Sequence, residues 1–323
     1  MKNLLLLYGG GSNEHDISKI TCSYLKSQID TKKYNVFVVE MSSGNEWLYE
    51  DQQVELDFKK NLKQQSVIIA KIDIVIPCIH GYPAESGDLQ SYFKLINLPF
   101  LGVESESSKI CFNKALTKLW LQSQKLPTAP FIFINNKENL DKALDFLKLY
   151  KKVFIKSSNQ GSSIGCYSAE SENQLKTSIK EAFSFSKYVL IEPFIHAREV
   201  EVAVFEYQNK IHTSFPGEIL CPEDFYDYKQ KYAKESKTQI DIRANNITPE
   251  IVNKLQELSL EVFTSFGLKD LSRIDFFLTQ DGEIFINEIN TFPGMTPISL
   301  FPQMIEMMGV KFKDFIKDRL DSL

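Results

Sequence analysis

A mixed architecture is what this sequence predicts: an α/β open sheet of Rossmann-like type over the first hundred residues, then units of α+β character. Three observations carry it. Near-continuous apolar runs alternate with helical patterns up to about residue 100, as the doubly covered strands of a parallel sheet require. The pattern then breaks at LGVESESS, where a helix-like stretch runs into Pro127 and Pro130. Near the end, RIDFFLTQDGEIFINEIN places Asp281-Gly282 between two apolar, aromatic-rich runs, a short-range hairpin signal.

Each element follows in order. NLLLLY reads as the first strand, and GGGSNEHDIS as a glycine turn opening a helix near Ser12, with YNVFVVEM and IDIVIPCI as further buried strands. GDLQSYFKLINL reads as a helix and LPFLG as a short strand, completing a βαβ series. The second unit opens with the helix NKALTKLWLQSQK. It continues as strand FIFI, helix ENLDKALDFLKLY, strand KKVFIK, loop SSNQGSSIG and helix ENQLKTSIKEAFSF. YVLIEPF starts a third, strand-rich unit with a polar stretch near 222–240, the helix PEIVNKLQELSLEVFTSFG, the hairpin and a C-terminal helix. A chain of 323 residues should divide into two or three domains, and the breaks in pattern put the expected divisions at 1–103, 104–190 and 191–323.

Composition narrows the function. A content of 43% hydrophobic and 24% charged residues is that of an ordinary soluble globular protein. A net charge of −5 argues against nucleic acid or an anionic membrane as main partner. Five cysteines form no CxxC and, with four histidines, suggest neither a zinc site nor a disulfide framework. A reduced cytoplasm is the expected compartment. MKNLLLLYGGG is too short for a signal-peptide core.

The chemistry concentrates in the hairpin. With Asp281-Gly282 as a two-residue type I′ turn, opposed residues have numbers summing to 563. Asp275 then faces Glu288 and Arg273 faces Asn290, all on one side of the sheet, together with Ile284 and Ile286. Two opposed carboxylates repel. They suit a hard cation such as Mg²⁺, which takes oxygen ligands and completes its shell with water and phosphates. A lone acid pair would read more simply as a partly solvated strand paired with Arg273 or lysines. The four polar residues together favour a metal–nucleotide site.

Other segments are weaker. NQGSSIG, with Lys156 before it, has the small residues that let backbone N–H groups close over phosphates, but lacks the GK[ST] ending of a P-loop. A serine-rich surface turn is the simpler reading. GGGSNEHDIS suits an anion or small polar ligand at a helix N-terminus but is no GxGxxG. HGYPAESGD follows a strand, where open sheets face their ligand, although His80 could equally be structural. FYDYKQKY reads either as an exposed loop or as a lid over substrate.

Taken in order, GGGSNEHDIS, HGYPAESGDLQ, NKALTK, IKSSNQGSSIG, VLIEPFIHAREVEVAV, FYDYKQKY, RIDFFL and NEINTFPGMTPISLFP resemble the D-alanine–D-alanine ligases of the ATP-grasp superfamily. The likeness spans nearly the whole chain. It implies a Rossmann-like N-terminal domain followed by a two-part ATP-grasp fold that clasps ATP. It further implies that ATP phosphorylates one D-alanine and that the amine of a second attacks the acyl phosphate. By the same resemblance, Asp275, Glu288 and Asn290 bind two Mg²⁺ ions, for which Mn²⁺ can substitute, and Arg273 steadies the transferring phosphate. Lys114, Lys156 and Lys231 face the ATP phosphates, and Glu192 and Glu199 hold adenine and ribose. Glu14 takes the ammonium of the first D-alanine with Ser162 and Tyr232, near His80. Gly294, Ser299 and Leu300 shape the second amino-acid site.

The family usually has Asp-Lys where this chain has Asn113-Lys114, and Lys-Pro where it has Lys156-Ser157. Its HG loop also differs from 82 to 86, and Pro193 replaces a common charged residue. A cytoplasmic homodimer acting in peptidoglycan precursor synthesis is the family expectation. The nearest rivals are sister ligases making D-Ala–D-Ser or D-Ala–D-lactate. Tyr232, where the D-lactate enzymes commonly carry histidine, argues for an amine acceptor. A nucleotide-binding module without ligase activity and an NAD-linked dehydrogenase are the other classes; the first conflicts with the intact Arg273, Asp275, Glu288 and Asn290.

Overall fold

The structure is a computed structural model that describes residues 1–11, 14–135, 140–220 and 239–323. Three sheets organise it. The first has seven strands, β1 (Lys2–Gly9), β2 (Tyr34–Met41), β3 (Trp47–Tyr49), β4 (Gln52–Leu56), β5 (Asn61–Gln64), β6 (Val67–Lys71) and β7 (Ile74–Pro77), in the order β6-β5-β4-β3-β2-β1-β7. β1 lies parallel to both β2 and β7, and Phe100 adds a parallel bridge to Val75. Helices α1 (His15–Gln28) and α2 (Asp88–Leu95) complete the expected βαβ character.

Sequence reading missed the antiparallel meander of β3 to β6. These strands have only three to five residues, too few for periodicity to register. Their turns also hide. Glu50-Asp51 and Gln65-Ser66 both have two consecutive positive φ angles without a glycine, a conformation normally signalled by Asn-Gly or Asp-Gly.

The second sheet is fully antiparallel, β10 (Cys166–Ala169), β9 (Val153–Ser157), β11 (Val189–Pro193) and β8 (Ile132–Ile134), in that spatial order. Helices α5 (Leu140–Tyr150) and α6 (Glu172–Ala182) close its core, α6 opening on a capping box of Ser171 and Gln174. The strand within YVLIEPF, expected to open the third unit, therefore hydrogen-bonds inside the second sheet.

The third sheet contains β12 (Ala197–Tyr207), β13 (Lys210–Thr213), β14 (Gly217–Leu220), β15 (Gln239–Asp241), β16 (Leu271–Thr279) and β17 (Ile284–Asn290). Its order is β15-β14-β12-β16-β17, with β13 on β12. One face buries Val200, Val202, Val204, Ile274, Phe276 and Leu278 against Leu255, Leu258, Val262 and Phe263 of α7 (Pro249–Ser265). Cys111 and Leu121, from α3 (Ser105–Phe112) and α4 (Lys114–Ser123), join this core. The last helices, α8 (Leu300–Met307) and α9 (Phe312–Ser322), share a core with Leu4, Leu6, Ile74 and Ile76 of the first sheet. The chain ends thus pack together, and Ala203, Phe205 and Leu271 of the third sheet join the same core.

The β16–β17 hairpin corrects one expectation and keeps another. Its turn is a three-residue loop, 280–282, closed by Thr279 N–H to Glu283 O (3.0 Å) and Gly282 N–H to Thr279 O (3.1 Å). Among the turn residues only Gly282 is left-handed, at φ 84°, so the expected type I′ turn at Asp281-Gly282 does not form. The ladder accordingly starts one residue out of the expected register, with Leu278 opposite Ile284 and Phe276 opposite Ile286. A β-bulge then inserts Asn287 and restores Asp275 opposite Glu288 and Arg273 opposite Asn290. The bulge also reverses the alternation. Ile284 and Ile286 lie on the core face with Ile289, not on the face of Glu288 and Asn290 as expected.

Candidate active site

The polar face of the third sheet is a row of acids. Asp275 pairs with Glu288 on β17 and with Glu201 on β12, so three carboxylates sit side by side across three strands. Glu201 escaped the sequence reading; the alternation in REVEVAV was its only signal. Arg273 holds the row together. It donates through Nε to Asp275 Oδ1 and through Nη2 to Asp275 Oδ2, each at 2.7 Å, and its Nε lies 3.0 Å from Glu201 Oε2. Burial alone would lower the pKa of this guanidinium, but Asp275 and Glu201 hold it well above its ordinary value. Asn290 Nδ2 donates to Asp275 Oδ2 at 2.9 Å, and Lys114 Nζ lies 3.3 Å from Glu288 Oε2.

Among the described residues, no three His, Cys, Asp or Glu side chains gather closely enough to hold a metal on their own. The donor set here, two opposed carboxylates and a carboxamide, fits a hard cation that draws its remaining ligands from phosphates. Asp275 is not blocked by Arg273, because two carboxylate oxygens present about four acceptor positions.

Beside the acids lies a single pocket that brings together Lys114, Lys156, Ser162, Glu192, Glu199 and Glu288, walled by Phe154, Phe194, Ile195 and Phe277. Lys114 opens α4, capped by Asn113 Oδ1, which accepts from Ala115 N (3.1 Å) and Leu116 N (3.3 Å). The usual Asp is thus replaced by a residue that caps equally well. Lys114 Nζ also donates to Gln160 O at 2.8 Å, tying the helix to the loop 158–165. That loop returns through Gly165, at φ +69°, where a Cβ would stand 2.2 Å from Ser157 Oγ. Only glycine fits there. Ser162 and Ser163, at φ 52° and 60°, form a left-handed pair at the loop's tip.

Glu192, only 2% exposed, carries two ammonium groups: Lys118 Nζ at 2.5 Å on one oxygen and Lys156 Nζ at 2.7 Å on the other. Burial alone would raise its pKa, but the two lysines bring it down to about 2. Desolvation wins at Lys118, whose pKa is lowered, whereas Glu192 outweighs it at Lys156, whose pKa is raised. The sequence reading named Lys156 and Glu192 but not Lys118.

Of the residues expected to hold the amino acids, Glu14 and His80 follow β1 and β7, whereas Gly294, Ser299 and Leu300 follow β17. Ser162 Oγ donates to Glu14 Oε1 at 2.5 Å, joining the second sheet's loop to the first. His80, buried, has Nε2 at 2.9 Å from Thr21 Oγ1 and Nδ1 at 3.7 Å from Glu85 Oε1, with its ring 6.1 Å from that of Phe292. Gly294 is close-packed; a Cβ there would lie 3.0 Å from Ser299 Oγ. Ser299 precedes α8 and accepts from Thr296 N at 3.0 Å, with Leu300 the first helical residue. Lys231 and Tyr232, with the expected lid near 222–240 except for its last two residues, lie outside the described residues.

His80 yields a measurable consequence. Burial lowers its pKa, yet Glu85 and then Glu14 outweigh that and raise it above the ordinary 6.5. Stability from this group is therefore full below 6.5 and is lost as pH rises through the folded value. We expect NMR titration to place His80 above 6.5 in the wild type and lower in Glu85→Gln. A titration below 6.5, or one that ignores Glu85, would contradict this assignment of causes.

Two sheets that close on a lysine-lined pocket, beside an acid row on the third sheet's polar face, define the ATP-grasp class. The similarities narrow it further. Residues 3–103 match the family described as D-ala D-ala ligase N-terminus, and residues 120–321 match D-ala D-ala ligase C-terminus. The chain belongs to the D-alanine–D-alanine ligase family. It is 43% identical to the D-alanine–D-alanine ligase of Shewanella sediminis over 99% of this chain and 98% of the relative. It is 45% identical to that of Aeromonas hydrophila over 99% of each. Among solved structures, D-alanyl-alanine synthetase A from Vibrio cholerae aligns with TM-score 0.93 at 40% identity, covering 99% of this chain and 98% of that one. The VanG D-Ala:D-Ser ligase from Enterococcus faecalis aligns with TM-score 0.89 at 26% identity and the same coverages.

Proposed function

We propose that this enzyme joins two D-alanine molecules into D-alanyl-D-alanine at the expense of ATP, through an acyl phosphate, supplying a peptidoglycan precursor. The carrying observation is that Glu288, one end of the acid row that Arg273 braces, lines one pocket together with Lys114 and Lys156. Phosphoryl transfer is mostly positioning and charge stabilisation, and this cleft offers both.

ATP would lie in the pocket between Phe154, Phe194 and Phe277, its phosphates toward Lys114, Lys156 and the 158–165 loop, with Lys231 joining them. Glu192 and Glu199 would border the adenosine. Asp275, Glu288 and Asn290 would hold two Mg²⁺ ions, or Mn²⁺ in their place, which neutralise phosphate oxygens during transfer. Arg273 would stabilise the charge that builds on the transferring group. Glu14, aligned by Ser162 and with Tyr232, would take the ammonium of the first D-alanine near His80. The second D-alanine would present its carboxylate to Ser299 and the N-terminus of α8 at Leu300, beside Gly294. We further propose that 1–103, 104–190 and 191–323 act as three units, that residues near 222–240 close over the acyl phosphate, and that the enzyme is a cytoplasmic homodimer. No helix among the described residues is long and apolar enough to cross a membrane.

Phosphate release and product mass spectrometry with MgATP and D-alanine, D-serine, D-lactate or L-alanine, alone and paired, test the reading. D-alanyl-D-alanine should dominate. It should also strengthen as pH rises from about 6 to about 8.5, because the attacking amine must lose its proton to have a lone pair to attack with. Dominant D-lactate or D-serine product, or none from D-alanine, would refute it.

A further inference from the structure

The β-bulge at Asn287 decides whether the metal face exists. Without it, the register set by the three-residue turn would continue, Asn287 would oppose Asp275, and Glu288 would swing to the apolar face. A bulged residue has lost its ladder partners, so something outside the ladder has to hold it.

The contacts that do so form a closed ring. Ile286 N–H donates to Pro127 O at 2.9 Å, beyond the edge of the sheet. Ile286 O accepts from Lys118 Nζ at 3.4 Å and from Thr128 Oγ1 at 3.3 Å. Lys118 Nζ donates to Thr128 Oγ1 at 2.7 Å and sits on Glu192 at 2.5 Å. Glu192 holds Lys156, and Lys156 Nζ donates to Asn287 Oδ1 at 2.9 Å. The ring therefore runs from α4 to β11, to β9, to the bulge and back to α4, linking the two sheets that flank the pocket.

We propose that Lys118 is a positioning residue that sets the nucleotide-facing lysine and the register of the metal-binding face together, through Glu192–Lys156 on one side and Ile286 on the other. A buried lysine costs desolvation that a methionine of similar length would avoid. Stability alone therefore does not call for an ammonium group here, whereas a hub that must bond a carboxylate, a hydroxyl and a carbonyl at once does. Lys118 lies one helical turn beyond Lys114, so α4 supplies one ammonium to the pocket and one beneath it.

The inference rests on the nucleotide and metal reading above, and the test separates the two. In Lys118→Met, half-saturation by ATP and by Mg²⁺ should each rise about tenfold or more, the usual scale for losing a supporting hydrogen bond behind a metal site. The D-alanine KM should stay within about twofold, as uniform binding there is untouched. ADP binding measured calorimetrically gives the same comparison without turnover. Amide hydrogen exchange should quicken at Ile286 to Glu288 but not in α7, reporting the bulge whatever the reaction proves to be. Glu192 loses one of its two cations in Lys118→Met, so Thr128→Val and Asn287→Ser, which each remove one spoke and leave the ion pairs, carry the test if that variant fails to fold. They should show the same selective pattern at about two- to threefold. Unchanged ATP and Mg²⁺ saturation in the soluble variants, or equal shifts for every substrate, would overturn the proposal. Absence of ligase activity in the wild type, with the exchange pattern intact, would overturn the functional reading alone.

Discussion

Glu288→Gln should cut Mg²⁺-dependent turnover by about 100- to 1,000-fold while leaving the fold standing. Glu288 faces Asp275 directly across the ladder, and Lys114 Nζ lies 3.3 Å from its Oε2. The substitution keeps the shape and removes the charge. It relieves repulsion between opposed carboxylates, which is worth a few tenths to about 1 kcal/mol. It also gives up a partly exposed pair with Lys114, whose value solvent reduces to a similar size. The melting temperature without ligands should therefore hold or rise slightly. Steady-state rates over a Mg²⁺ series, with calorimetric melting of the same samples, check both halves. Normal rates at ordinary Mg²⁺ would remove Glu288 from the proposed metal face.

Arg273→Lys should be the more damaging change, lowering kcat by about 1,000-fold and destabilising the protein as well. A guanidinium reaches both oxygens of Asp275 and still lies 3.0 Å from Glu201. An ammonium is a point donor on a flexible stem and cannot reproduce that fork. With Glu201 buried and Asp275 nearly so, weakening their shared cation leaves negative charge poorly compensated, a loss of about 3 kcal/mol or more where a buried pair is broken. Denaturant unfolding and single-turnover phosphate release separate the two effects. A variant within about tenfold of wild-type kcat would show that the fork serves the fold alone.

What the sequence determined by itself begins with faces. The parallel trio β1, β2 and β7 and the long helix α7 were legible, because uninterrupted apolar runs and helical periodicity report which side of an element is buried. The ligase motifs likewise named six residues that line one pocket: Lys114, Lys156, Ser162, Glu192, Glu199 and Glu288. Tertiary structure decided what depends on relations between elements. The hairpin register came out as expected only because a three-residue turn and a bulge offset each other, and neither change can be read from alternation within a strand. Glu201 and Lys118 were missed for the same reason. One matters because β12 lies beside β16, the other because α4 packs on β11 and β17, and such neighbours are chosen by packing across the whole chain. The meander of β3 to β6 stayed hidden because its strands are short and its turns reach positive φ without glycine, leaving no local signal strong enough to outweigh the surrounding polar residues.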